Sequence, residues 1–123
     1  MSIVCLLGGG ASVRLAALVT LVWTHSIEKV EWRETWTAAP DGLRIVEARV
    51  VGSGAGMEPG ADARFEHGAW VWRPPLPPLA ELHLARSGAT ADWRICHATG
   101  CVDVAALLPD AAATEPVRLV ACD

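Results

Sequence analysis

Glycine and proline interrupt this chain so often that long helices have little room to form. The 123 residues include 11 glycines and 8 prolines, spread along the whole length. Between these breakers lie short runs rich in β-branched and aromatic residues, a pattern typical of strands. We therefore predict an all-β fold over residues 1–123, a single small sandwich or barrel of about nine or ten short antiparallel strands.

The composition excludes several classes of protein. Hydrophobic residues make up 52% of the chain and charged residues 20%, which opposes intrinsic disorder. A net charge of −4 opposes general nucleic-acid binding. The apolar stretch from Ile3 to Trp23 is interrupted by Gly8–Gly10 and Arg14, so we expect no transmembrane segment there. It also has no basic start, so no clear signal peptide is present.

A β-hairpin is predicted in the first half of the chain. Val30–Trp36 and Leu43–Val51 both alternate with a period of two, and Pro40–Gly42 between them is a turn signal. The other predicted strands are Ile3–Leu7, Val13–Ile27, Leu82–Arg86, Ala91–His97, Cys101–Val104 and the closing strand Pro116–Cys122. The alternative for the second of these is a helix, because Leu15–Leu18 has good helix propensity. The connecting segments are predicted to be an irregular loop over 52–60, a turn at His67–Gly68, an extended Pro74–Pro78 and a helical turn over Val104–Leu108.

Six tryptophans stand against one phenylalanine and no tyrosine. Trp32 and Trp36 fall on one face of their strand, and so do Trp70 and Trp72. One interpretation is that the tryptophans supply most of the large core volume. The other is that they form an exposed aromatic platform for a ligand or partner.

Four cysteines leave the redox state of the chain open. Cys96 and Cys101 flank a predicted turn and can face each other, while Cys5 and Cys122 lie in the first and last strands. Two disulfides would indicate an oxidising compartment, whereas four buried thiols would indicate the cytosol. The spacing lacks a second ligand pair for zinc, so we expect no metal and no cofactor.

Polar residues concentrate in two segments that we expect to contact a ligand or partner. One is 23–29 (WTHSIEK) and the other is the glycine-rich loop 52–59 (GSGAGMEP). The hairpin alternation puts Glu34 and Glu47 on its inward face, and Arg49 shares that face as an ion-pair partner for either glutamate. These groups either form such an ion pair or line a polar pocket. The candidate contact residues are His25, Ser26, Glu28, Lys29, Glu34, Glu47, Arg49, Ser53, Met57 and Glu58.

Catalytic signatures are weak in this sequence. His25 and Ser26 are adjacent, so on a strand their side chains diverge and cannot form a nucleophile–base pair. Ser53 lies in a Gly-Ser-Gly run that matches a nucleophile elbow only in part. We therefore expect no catalytic residues, with a serine/histidine hydrolase as the least favoured alternative.

The chain resembles a bacterial domain-of-unknown-function family, the one numbered eighteen-fifty. The resemblance is carried by the WTHSIEK and GSGAGMEP segments, and by Val46–Val50 between them. Further matching pieces are Trp32, Gly68-Ala69-Trp70, Leu76–Leu79, Arg86-Ser87, Trp93-Arg94 and the cysteine hairpin.

The resemblance implies a role rather than a reaction. Family members are often encoded beside tripartite ATP-independent periplasmic (TRAP) transporters that use a TAXI-class solute-binding protein. It therefore implies a non-enzymatic accessory protein whose partner is a transporter subunit or the solute-binding protein. That role favours a periplasmic or membrane-associated location. The alternative function is a small-ligand module that binds an organic anion through Arg49 and His25.

Overall fold

The structure, a computed structural model, describes residues 2–24, 30–51, 62–89 and 91–123. These residues form two open antiparallel sheets that pack face to face. The strands are β1 (Ile3–Gly8), β2 (Ala11–Arg14), β3 (Leu18–Thr24), β4 (Glu31–Ala39), β5 (Gly42–Val51), β6 (Arg64–Glu66), β7 (Ala69–Trp72), β8 (Glu81–Leu84), β9 (Arg94–His97), β10 (Gly100–Asp103) and β11 (Val117–Cys122), with one helical turn, α1 (Val104–Leu107), after β10.

The sheets differ in size. The smaller has four strands in the order β2-β1-β11-β8, and the larger has seven in the order β10-β9-β3-β4-β5-β7-β6. The predicted all-β class and sandwich architecture are confirmed, whereas the barrel alternative is wrong for the described strands, since neither sheet closes on itself. No helix in the described part of the chain is long and apolar enough to cross a membrane.

The strand predicted over Val13–Ile27 is divided in two. Gly9 and Gly10 both have positive φ (58° and 77°), which turns β2 back onto β1. The chain then crosses at residues 15–17 to the larger sheet and continues as β3. The backbone there bonds to both sheets, because the Val4 N–H donates to the Ala16 carbonyl at 2.7 Å and the Ala38 N–H to that of Ala17 at 3.1 Å. The alternative helix at Leu15–Leu18 does not form.

The hydrophobic core lies between the two sheets. Among the tryptophans only Trp36 is fully buried, at 2% exposure, while the other five are half-buried. Leucine, isoleucine and valine therefore fill most of the core, and the prediction that tryptophans supply its bulk is wrong. The core residues are Val4, Leu6, Val19, Leu21, Trp36, Leu43, Ile45, Leu84, Ile95, Val104, Leu108, Val117 and Leu119.

A β-bulge divides the predicted hairpin partner, β5. Thr35 pairs with Glu47, but the next residue, Trp36, pairs with Ile45, so Val46 is the extra residue. The alternation of β5 therefore changes phase at Val46. Glu47 and Arg49 therefore lie on the outer face of the sheet, whereas the sequence predicted the inner face.

Several local predictions are confirmed. His67 and Gly68 form the two-residue turn between β6 and β7, with φ of 52° and 78°. The last strand pairs with the first, which brings Cys5 and Cys122 together with their Cα atoms 6.1 Å apart. Both predicted cysteine pairs form disulfides in the structure, and the described part of the chain holds no free cysteine.

Candidate functional site

Most of the candidate contact residues predicted from the sequence lie outside the described residues. The structure places three of them, on β4 and β5, and divides these between the two faces of the sheet. The predicted polar pocket therefore does not form as a single cluster. Those outside the described residues are His25, Ser26, Glu28, Lys29, Ser53, Met57 and Glu58.

The strands that flank the two polar segments end together. Thr24, the last residue of β3, pairs with Glu31, the first of β4. Val51, the last residue of β5, lies at the same end, because Trp32 pairs with Val50. Both segments are therefore joined to one end of the seven-stranded sheet, and this end holds the site described below.

A cleft of about 530 Å³ opens at this end of the sandwich. Its walls include the indole rings of Trp23 and Trp93, whose centroids are 4.8 Å apart. The rest of the lining combines small residues, among them Ala105 at the start of α1 and Ala113, with the polar residues Thr24, Arg86 and Asp92. A cleft of this size and composition suits an apolar group of a ligand or partner.

The tryptophan wall continues along the inner face of the larger sheet. Trp23 stacks on Trp32 at 5.8 Å, and Trp32 meets Trp72 edge to face at 5.9 Å. The Trp93 indole N–H donates to the Ala85 carbonyl at 2.9 Å, which holds that ring in place. The Trp32 indole N–H is buried and has no hydrogen-bond partner among the described residues. The four rings thus form one continuous aromatic row.

A charged pair, Arg86 and Asp92, forms part of the lining of the cleft. The Arg86 guanidinium donates to both carboxylate oxygens of Asp92, at 3.1 and 3.0 Å, and to the carbonyls of Ala112 and Glu115. Only 3% of the Arg86 side chain and 20% of that of Asp92 are exposed. This bidentate geometry is the strong form of the arginine–carboxylate contact.

Asp92 also anchors the backbone around the cleft. Its carboxylate accepts hydrogen bonds from the N–H groups of Trp93 at 2.9 Å and Ala105 at 2.8 Å. The two charges of the pair are therefore neutralised within the protein. The lining of the cleft therefore combines this neutralised pair with aromatic rings and small side chains.

Glu34 lies on the inner face, opposite Leu21 on β3 and Ala48 on β5. Its carboxylate accepts a hydrogen bond from the Trp36 indole N–H at 3.2 Å. Burial raises the pKa of Glu34, and the bond from Trp36 lowers the pKa in part. The structure thus confirms the inward placement of Glu34 and shows no ion pair for it among the described residues.

Glu34→Gln is expected to stabilise the chain near neutral pH. Because the raised pKa means that the folded state holds this proton more tightly than the unfolded state, stability falls as pH rises above the usual glutamate range. Glutamine can still accept the Trp36 bond without the buried charge, a gain on the order of 1 kcal/mol. Urea unfolding of the wild type and of Glu34→Gln between about pH 4 and about pH 7 measures the difference in stability. A difference that stays constant with pH contradicts the prediction.

An arginine row crosses the outer face of the larger sheet. Successive strand pairings put Arg94, Arg33, Arg49 and Arg64 in one line, with Val22 and Val71 between them. Arg33 and Arg49 are directly opposite each other, an arrangement of like charges that destabilises a sheet.

Three of the four arginines in the row have carboxylate partners. Arg33 and Arg94 share Glu31, at 2.9 and 3.3 Å, and Arg64 pairs with Glu66 at 3.5 Å. Arg49 forms no ion pair with any described residue. The predicted ion pair of Arg49 with Glu34 or Glu47 is therefore wrong, and the half-exposed Arg49 side chain has no ion-pair partner in the described part of the chain.

Sequence reasoning missed the cleft and the arginine row for different reasons. Arg86 and Trp93 appeared only as pieces of the family pattern, with nothing local to join them. The row depends on the bulge at Val46 and on the pairing of six strands. In the described ranges, no three histidine, cysteine, aspartate or glutamate side chains are grouped so that they could hold a metal ion.

The fold and the site together define a small disulfide-linked β-sandwich with an aromatic cleft at one end. The family model described as Domain of unknown function (DUF1850) matches residues 19–104, and the chain belongs to this family. A search of curated proteins and a search of solved structures each find no match. The matched region includes Trp23, Arg86, Asp92 and Trp93, so most of the cleft lies within the family domain.

Proposed function

We propose that this chain is a non-enzymatic interaction domain of a TRAP-type solute transporter. In this proposal the cleft receives an apolar or aromatic side chain of the solute-binding protein or of a transporter subunit. The observation that carries it is the composition of the cleft: Trp23 and Trp93 are available as walls, while Arg86 and Asp92 neutralise each other. Tryptophan is enriched among residues that dominate binding energy at protein interfaces.

Two further points support the choice of partner. Both disulfides suit an oxidising compartment, which is where a periplasmic solute-binding protein works. The family resemblance implies an association with transporters of this type. That association rests on neighbouring genes and not on a mechanism. The decisive measurement is therefore direct binding of this chain to the transporter components.

Ala105→Trp is expected to weaken docking at least tenfold, about 1.4 kcal/mol. Ala105 lines the cleft from an exposed position on α1, so an indole there fills the space that a partner side chain needs. Binding to the purified solute-binding protein and to the solubilised membrane subunits is measured by calorimetry or surface plasmon resonance.

The matched control is Ala106→Trp. Ala106 is exposed on the same helical turn but does not line the cleft, so the added surface and helix propensity are the same. We expect wild-type affinity from this variant. Equal binding by both variants, or no binding of either transporter component by the wild type, contradicts the proposal.

A second candidate function, binding of a small organic anion, is supported by the arginine row. A carboxylate between Arg33 and Arg49 would relieve the repulsion of two facing guanidinium groups and would occupy the unused donors of Arg49. This keeps Arg49 as an anion contact, as the sequence predicted, but moves it to the outer face. It also separates the anion site from the cleft.

Arg49→Gln is expected to abolish the thermal stabilisation that a bound carboxylate provides. A ligand at 100 times its Kd stabilises the folded state by about 2.7 kcal/mol, which thermal-shift screening of mono- and dicarboxylates detects. Arg44→Gln is the control, because Arg44 lies on the same strand outside the row and pairs with Asp41 at 2.5 Å. If Arg49→Gln responds to carboxylates as the wild type does, the anion function is contradicted.

A further inference from the structure

The disulfide between Cys96 and Cys101 lies at the edge of the larger sheet. The two cysteines are direct register partners in the β9–β10 hairpin, with Cα atoms 4.0 Å apart. β10 is an edge strand, and all four of its residues are exposed. A soluble nucleophile can therefore approach Cys101 from the open side of the sheet.

The second disulfide, between Cys5 and Cys122, is less accessible. Cys5 is only 2% exposed, and Cys122 is half-buried near the end of β11. In the hairpin disulfide, by contrast, Cys101 is exposed and Cys96 is half-buried. The two disulfides thus differ in accessibility, which is one of the properties that separates labile disulfides from structural ones.

We infer that Cys96–Cys101 is a thiol–disulfide exchange site for an oxidoreductase with a pair of active-site cysteines. The attacking thiolate forms a bond with the Cys101 sulfur, and Cys96 leaves as a thiolate with the electron pair of the broken bond. The second thiol of the oxidoreductase then attacks the mixed disulfide and releases Cys101. The dithiol is oxidised to a disulfide, Cys96 and Cys101 are reduced, and the two thiol protons pass to them.

Opening this disulfide leaves the rest of the fold in place. β9 stays paired with β3 through Leu21 and Ile95, and Ile95 remains in the core. The start of α1 is held independently, because the Val104 N–H donates to the Trp93 carbonyl at 2.9 Å. The change is therefore confined to β10, and the exchange site is independent of docking in the cleft.

Stepwise reduction of the oxidised full-length chain tests the inference. A phosphine reductant is added in limiting amounts, free thiols are blocked with N-ethylmaleimide, and intact mass with peptide mapping locates the labels. We expect a species with two labels, on Cys96 and Cys101, to form roughly ten times faster than labelling of Cys5 and Cys122. Equal rates, or earlier labelling of Cys5 and Cys122, overturn the inference.

Trapping identifies the attacked sulfur. A thioredoxin-type enzyme whose second active-site cysteine is replaced by serine is mixed with the oxidised chain, and we expect a mixed disulfide at Cys101. Cys96→Ala/Cys101→Ala is the control and is expected to yield no conjugate. No conjugate with the wild type, or conjugation at Cys5 or Cys122, overturns the assignment.

Hydrogen exchange reports the structural consequence of reduction. In the form reduced only at the hairpin, we expect faster exchange for the amides of Gly100–Asp103, while β3 and β4 keep their protection. This readout requires no transporter component, so it separates failure of the exchange site from failure of the proposed docking function. Loss of protection throughout the larger sheet would contradict a local site.

Discussion

Replacing Cys5 and Cys122 together with alanine is expected to lower the free energy of unfolding by about 5 kcal/mol. The disulfide joins residues 117 positions apart, so it removes a large amount of conformational freedom from the unfolded chain. Alanine is the appropriate replacement because Cys5 is buried and a serine hydroxyl would need a partner. Urea unfolding of the oxidised wild type and of the double variant measures the difference.

The hairpin disulfide provides the matched comparison. Cys96→Ala/Cys101→Ala opens a loop whose ends are 5 positions apart, for which the chain-entropy model gives about 2 kcal/mol. We therefore expect loss of the terminal disulfide to lower the free energy of unfolding more than loss of the hairpin disulfide. The reverse order, or equal losses, would show that the link between the termini contributes little to stability.

Asp92→Ala is expected to destabilise the chain by about 3 to 5 kcal/mol, the range for a broken buried ion pair. Its partner Arg86 is almost completely buried and would be left without a carboxylate. The backbone N–H groups of Trp93 and Ala105 would also lose their acceptor. Thermal and urea unfolding at neutral pH measure the loss.

A surface ion pair gives the contrast for this prediction. Arg44→Ala breaks the exposed pair with Asp41 and is expected to destabilise the chain far less than Asp92→Ala does. Asp92→Asn keeps one hydrogen-bond acceptor for Arg86 and the backbone N–H groups. We expect its loss of stability to lie between the losses of Asp92→Ala and Arg44→Ala. Equal small losses for Asp92→Ala and Arg44→Ala would mean that Arg86 finds water or another partner when Asp92 is removed.

Short-range features of the fold were predictable, and long-range ones were not. The turn at His67–Gly68, the helical turn that begins at Val104 and the hairpin closed by Cys96 and Cys101 each depend on residues close together in the chain. Period-two alternation also placed Glu34 correctly, because no irregularity interrupts β4 before that residue. The same rule failed for Arg49, since the bulge at Val46 shifts the phase of β5.

The candidate site shows the same division. Trp23 and Thr24 were singled out in the WTHSIEK segment, and they do line the cleft. Their neighbours across the cleft, Arg86, Asp92 and Trp93, lie some sixty to seventy positions further along the chain. No local pattern joins these two regions, because their contact depends on the pairing of β9 with β3.

By itself, the sequence determined the all-β class, the main turns and the placement of Cys96 and Cys101 across one of those turns. These follow from dihedral preferences and from side-chain periodicity, which act over a few residues. The tertiary structure alone decided where the sheet boundary falls near Ala16, which face carries Arg49, and which residues meet around the cleft. Strand register and sheet packing are set by the sum of many distant contacts, so one extra residue at Val46 moves every following side chain to the other face.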